Sequence, residues 1–250
     1  MSATNNKQYK HFNQTLQSYG LNTILPNIIL IHGAFSDGSI WHKVIPLLKE
    51  AGHDVMAVQL SLHSLADDIS TVNRAIDLMG SPTLLVGHSY GGFVMTNAAQ
   101  NNPSVNGLVY IAAFAPNDGE SISDYIDVTL LPHDLLISDS DGFLCLNPIF
   151  FHDVMAFDVN HSEVAIWQAV QKPINQSILE AKSGPPAWKE IPSWYQISTE
   201  DQLIPLNLQQ KFANQINAAT ISINCSHASL VSNPDKIADF ILQAAKKVQE

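Results

Sequence analysis

Positive charge is what this sequence has least of. Twelve Lys and Arg stand against 23 Asp and Glu, a formal net charge of −11, and Arg74 is the single arginine. A basic nucleic-acid footprint or a phosphate clamp needs clustered Arg and Lys, so no nucleic-acid partner is expected. The acidic balance itself is read as the ordinary device that keeps a protein in solution. Charged residues of both signs reach only 14%, whereas 46% of the chain is hydrophobic, which excludes a disordered chain and suffices for one sizeable core in 250 residues. Cysteine is almost missing. Cys145 and Cys225 lie far apart with no CxxC or Cys/His ligand spacing, so neither a disulfide scaffold nor a zinc knuckle is indicated, and a reducing cytoplasm is the expected compartment. No apolar run approaches the ~20 residues needed to cross a bilayer, and residues 1–26 hold no apolar segment of an export signal. No membrane partner is expected. HExxH, GxGxxG and GxxxxGK[ST] are also absent, which removes the usual evidence for a metal hydrolase or a nucleotide site. Neither metal nor cofactor is expected.

What the sequence does contain is alternation. The run NIILIH at 27–32 is short and almost wholly apolar, the mark of a parallel strand covered on both faces. Apolar residues at 40, 41, 44, 45, 47 and 48 predict a helix closed by Ala51-Gly52, and 53–60 returns to strand character. Leu65, Ile69, Val72, Ile76 and Met79 form a helical stripe stopped by Gly80-Ser81-Pro82. A strand at 83–86, a helix at 93–100 and a strand at 105–114 follow. From 115 to 191 the pattern loosens into Pro-, Asp- and aromatic-rich segments, with short helices expected at 149–157 and 162–182. Alternation then resumes with a strand at 194–197, a helix at 206–216, a strand at 220–224 and a final helix from Pro234. The expected fold class is α/β, a mainly parallel doubly wound sheet with a helical insertion. Residues 1–26 are an N-terminal arm, 27–114 and 192–250 the core, and 115–191 the insertion. In such sheets ligands sit at the carboxyl ends of the strands.

The chemistry-bearing residues fall at those ends. Gly87-His88-Ser89-Tyr90-Gly91 follows the strand TLLV directly and leads into Gly92 and a helix, the context a G-x-S-x-G nucleophile elbow requires. A serine on so tight a turn needs neighbours without bulky Cβ groups two residues away. Its position at a helix N-terminus leaves the Tyr90 N–H to stabilise developing negative charge, and the Ala34 N–H in His32-Gly33-Ala34-Phe35 is the expected second oxyanion donor. His32 is read as a residue that steadies this loop. A serine needs a base, and a base needs an orienting carboxylate. Of ten histidines, only His227 lies between the last strand and the final helix, where a loop returns to the top of the sheet. Asp201 follows the strand WYQIS and is the expected acid; Asp118, after the fourth strand, is the alternative. Glu200 is expected to point elsewhere by strand alternation. His42, His53 and His63 are read as flanking residues without chemistry, and His133, His152 and His161 as polar residues of the insertion.

On these residues the chain resembles the α/β-hydrolase superfamily. The strand ending His32-Gly33, the elbow GHSYGG at 87–92, the acid in TEDQLIP and the base in CSHASLVSNPD occur in that family's order. The compact start at HGAFSDGSIW and the segment AAFAPNDGES look like small bacterial esterases related to plant methylesterases and hydroxynitrile lyases. The resemblance implies a cap over the active site at 115–191, no cofactor, and a Ser-His-Asp triad carried onto Ser89, His227 and Asp201. A serine at 89, where haloalkane dehalogenases and epoxide hydrolases carry Asp, argues against those activities.

The cap is expected to choose the substrate. Phe35, Phe143, Phe150 and Trp167 are the candidate substrate-binding residues, with Phe151, Phe157 and Trp188 as further aromatics, most of which are expected to pack rather than bind. The partner expected is a small, mainly neutral carboxylic ester, cleaved through an acyl-enzyme. Alternatives are cofactor-free perhydrolysis, hydroxynitrile-lyase-like C–C cleavage, and a ligand-binding receptor that keeps a slow triad.

Overall fold

In this computed structural model, residues 25–126, 132 and 134–249 are described. The N-terminal arm, apart from Leu25 and Pro26, and His133 lie outside them. Six strands, β1 (Asn27–Ile31), β2 (Val55–Ala57), β3 (Thr83–His88), β4 (Val105–Ile111), β8 (Ser193–Ser198) and β9 (Ala219–Ile223), form one sheet in the order β2-β1-β3-β4-β8-β9. Every pairing in it is parallel. The apolar runs exist because both faces of the sheet are covered. Ile29, Ile31, Leu85, Leu108 and Tyr110 point into one core cluster, while Ile28, Leu30, Leu84, Val86, Val109 and Ile111 point into another. Side chains alternate faces along a strand, so each strand must be apolar at nearly every position.

The helices on one face are α2 (Leu65–Met79), α3 (Tyr90–Ala98) and α7 (Leu206–Gln215), which contribute Val72, Phe93 and Phe212 to the first cluster. On the other face lie α1 (Val44–Glu50) and α9 (Pro234–Lys247), which contribute Leu48 and Phe240. The start of α2 is set locally: Ser64 accepts a hydrogen bond from the Asp67 N–H at 3.1 Å and donates to the Asp67 carboxylate at 2.7 Å, while Gly80 at φ 78° ends the helix.

Between β4 and β8 the chain forms a second sheet, antiparallel and three-stranded, of β5 (Leu136–Ser138), β6 (Phe143–Leu146) and β7 (Ile174–Asn175). The same stretch carries α4 (Pro148–Met155), α5 (His161–Val170) and α6 (Ser177–Glu180). Several expectations are corrected here. The helix expected over 162–182 is broken, because Pro173 lacks an N–H and forces Lys172 away from helical backbone; Gln171 is already extended at ψ 137°. The small sheet was not foreseen because strands of two to four residues are too short to show an alternating pattern. In the core, the apolar residues at 40–48 divide into a 3₁₀ turn at Gly38–Trp41 and helix α1. Strand β4 stops at Ile111, where Ala112 turns with φ 42°.

Candidate active site

Ser89 sits between β3 and α3 with φ 53° and ψ −122°, a backbone conformation rarely adopted by a residue with a side chain. Its neighbours hold it there. The Ser89 N–H donates to the Ile111 carbonyl at 3.2 Å, and the Ser89 carbonyl accepts from Gly92 and Phe114, each at 3.1 Å. A Cβ on Gly91 would strike the carbonyl oxygens of Ile31 and His32 on the neighbouring strand end, so only glycine lets α3 start this close to β1. Gly33 is similarly constrained, for a Cβ there would lie 2.7 Å from the Ser89 Cβ. The turn after β1 is therefore pressed against the serine. Among the described residues, neither the Ser89 hydroxyl nor the Ala34 N–H is engaged in a hydrogen bond.

His32 holds that turn from beneath. Its Nε2 accepts from the Leu60 N–H at 3.0 Å, so its Nδ1 carries the proton and donates to the Gly33 carbonyl at 2.8 Å. Burial pulls its pKa down from 6.5 to about 4, and the ring stays neutral at neutral pH. The residue after Ala34, Phe35, has φ 59°.

His227 lies between β9 and the short helix α8 (Ser229–Ser232) and is 1% exposed. Its Nδ1 meets the Asp201 Oδ2 at 2.7 Å, which leaves Nε2 as the free ring nitrogen. Three contacts position the loop: the Ser226 N–H donates to the Asp158 carboxylate at 3.1 Å, the Ala228 N–H to the Met155 carbonyl at 3.1 Å, and His88 Nε2 to the His227 carbonyl at 3.0 Å. Asp201 follows β8, and its side chain is fully buried. Oδ1 accepts from the Leu203 and Ile204 N–H groups at 2.8 and 2.9 Å, and Gln209 Nε2 joins His227 at Oδ2, 3.1 Å away. Four donors accommodate a carboxylate that water cannot reach. The alternative acid, Asp118, lies on an exposed turn, and Glu200 is exposed as well.

Ser89, His227, Ala34 and Tyr90 border one cavity of about 770 Å³, counting its open mouth. Its other walls are apolar, among them Phe114, Ile122, Leu144, Leu146, Ile174 and Leu203. The intervening segment thus supplies much of the enclosure. Of the expected substrate-binding aromatics, Phe35 borders this cavity and Trp167 borders a smaller adjoining one. Phe143 and Phe150 do neither, which corrects their assignment. Strand parity explains Phe143: Leu144 and Leu146 face the cavity, and Phe143 packs edge-on against His63 with centroids 5.1 Å apart. Helix phase explains Phe150, since Phe151 and Met155 share the buried face of α4 that borders the smaller cavity while Phe150, one residue earlier, is only half-buried against the edge of the core. Phe157 is 41% exposed, and Trp188 donates to the Pro116 carbonyl at 2.9 Å.

Sequence reasoning missed Gln209, Asp158 and the positional role of His88. Gln209 is one polar residue on a helix, Asp158 lies on the turn between two helices of the insertion, and His88 was read only as part of the elbow; nothing in spacing marks any of them. His152 and His161 stack at 3.7 Å away from the cavity walls, and His42 and His53 bond surface and loop carbonyls. Among the described residues no group of three or more His, Cys, Asp or Glu side chains is placed to hold a metal. No helix among them is long and apolar enough to cross a membrane.

A parallel sheet with this elbow, and with a histidine and an aspartate on the loops after the last two strands, defines an α/β hydrolase, and the chain belongs to the Alpha/beta hydrolase family, whose profile matches residues 28–240. It is 26% identical to the pyrethroid hydrolase of Sphingobium wenxiniae over 88% of this chain and 87% of that protein. It is 23% identical to the polyneuridine aldehyde esterase of Rauvolfia serpentina, over 96% and 97% of the two chains. The crystal structure of polyneuridine aldehyde esterase matches with a TM-score of 0.76 at 21% identity, covering 88% of this chain and 99% of that one, a likeness of fold.

Proposed function

We propose that ester hydrolysis in this protein runs through an acyl-enzyme on Ser89, with small, mainly neutral carboxylic esters as substrates. The observation that carries this reading is the buried His227–Asp201 pair at 2.7 Å, bordering with Ser89 a cavity otherwise walled by apolar side chains. Asp201 holds His227 with its proton on Nδ1, so Nε2 takes the Ser89 proton as Oγ attacks the ester carbonyl. The oxyanion that forms is met by the Ala34 and Tyr90 N–H groups. The tetrahedral adduct collapses, and the proton on Nε2 goes to the departing alkoxide. Water then enters, gives a proton to Nε2 and attacks the acyl carbon, which releases the carboxylic acid and restores Ser89. Ser89 and His227 need not be bonded beforehand, because such contacts often tighten only once substrate is in place.

The segment 115–191 acts in this reading as a cap that shuts out water and selects apolar esters. An apolar wall offers a free carboxylate or phosphate no partner, which agrees with the shortage of arginine. The relatives named as esterases support the same reaction class. A panel of p-nitrophenyl esters tests it: Ser89-dependent turnover with an initial burst is expected. A fluorophosphonate that labels Ser89 without turnover on any ester points instead to a receptor, and cleavage of cyanohydrins in preference to esters to a lyase; either result overturns the proposal.

A further inference from the structure

Two cavities share part of their walls. The large one, described above, holds Ser89 and His227. The other, about 310 Å³ and partly open to solvent, lies between the loop after β1 and helices α4 and α5. Phe35 and Met155 border both. The two differ in chemistry. Away from Ser89 and His227 the inner cavity is apolar, whereas the outer one has the apolar faces of Phe151 and Trp167 opposed by Ser36, Asp37 and Ser39. Asp37 uses Oδ1 to accept the Ser39 N–H at 2.8 Å, leaving its second oxygen for a ligand.

Phe35 holds its place through its backbone. It sits in the left-handed region at φ 59°, where a bulky residue is an outlier that its surroundings must enforce. Those surroundings are visible. The Ser36 hydroxyl donates to the Gly33 carbonyl at 3.1 Å, and His32 holds the same carbonyl from beneath. The ring is thus set by a turn that also carries Ala34, immediately beside the reacting centre.

We propose that Phe35 is a specificity-determining residue dividing a two-chambered substrate site, and that the outer chamber receives the far end of an ester's apolar limb where that end carries a hydroxyl or amine donor. This rests on the ester hydrolysis proposed above. Among the described residues, the side chains lining the inner chamber are apolar apart from Ser89, His227 and Tyr90, so a donor buried away from them is penalised, while Asp37 and the two serines provide acceptors a short distance past Phe35.

The test uses two series of esters on the whole protein, one lengthened on the acyl limb and one on the alcohol limb, each with methyl, hydroxyl and amine ends. In Phe35→Ala, kcat/KM for long esters relative to short ones is expected to rise by roughly tenfold or more in at least one series, because one methylene accommodated or refused by an apolar pocket is worth about that much. Phe35→Trp should move the length limit the opposite way. Asp37→Asn keeps an acceptor for the Ser39 N–H and should lower the amine-to-methyl preference by about threefold. Because each readout is a ratio within one variant, a general loss of activity or stability cancels. Length profiles that run parallel to the natural enzyme in both series, for both Phe35 variants, overturn the division while leaving ester hydrolysis intact. Absence of Ser89-dependent turnover on every ester overturns the hydrolysis itself.

Discussion

His88 Nε2 donates to the backbone carbonyl of His227 at 3.0 Å, with the two rings 4.6 Å apart. The strand that delivers Ser89 therefore also holds the loop that presents the imidazole. A carbonyl only accepts, so the His88 proton resides on Nε2, and its Nδ1 is buried with no partner among the described residues. Burial, with the nearby His227 second, holds the His88 pKa well below 6.5. A charge on His88 would oppose the imidazolium that the proposed mechanism forms on its neighbour.

His88→Phe should lower kcat by about ten- to a hundredfold with little change in KM, the equivalent of one buried hydrogen bond worth about 1–3 kcal/mol. His88→Gln, which restores a donor, should recover part of the loss. Steady-state kinetics decide the matter, and a change in KM alone would assign His88 to substrate binding instead.

Ser89→Ala should reduce kcat by up to ~10⁶ while leaving the fold in place, since alanine bears the same backbone strain as serine at this turn. Circular dichroism and the urea midpoint check the fold beside the activity assay. Gly33→Ala should also suppress turnover, because its methyl would be driven onto the Ser89 Cβ.

Asp201→Asn should cost about 10⁴ in kcat by presenting His227 in the wrong tautomer, whereas Asp118→Asn, on an exposed turn, should cost less than about twofold. The reverse ranking would transfer the orienting role to Asp118.

Stability should fall as the pH drops from about 6.5 toward 4. His32 has its pKa pulled down to about 4 in the fold and regains an ordinary value when the chain unfolds, so the unfolded state binds the extra proton across that window. A group with a depressed imidazole pKa thus contributes its stability above the window and loses it below, in this case on the order of 3 kcal/mol. His88 acts in the same direction. Urea unfolding at pH 7.5, 5.5 and 4.5 measures the slope, and His32→Gln should flatten it. An unchanged slope in that variant would show that His32 does not set it.

The sheet and the placement of Ser89, Asp201 and His227 at its strand ends were legible because their causes are local. A strand buried on both faces has to be apolar at successive positions, and NIILI and TLLV are so. A serine on a tight strand-to-helix turn has to stand among glycines, and each of them lies against neighbouring backbone or the serine's own turn. Loop placement after β8 and β9 then singled out Asp201 and His227. The three-stranded sheet of the intervening segment was not legible, since strands this short draw their stability from partners distant in the chain.

From the order of residues alone came the parallel core, the elbow at Ser89 and the loops that bear Asp201 and His227, because backbone sterics and two-sided burial act over a few neighbouring residues. Tertiary structure alone decided which side chains wall the cavity, that Leu144 faces it where Phe143 does not, that Gln209 bonds Asp201 and His88 the His227 carbonyl, and that Phe35 borders two cavities. Those facts depend on the phase of one element against another. That phase is set by packing across distances in the chain that no local pattern records.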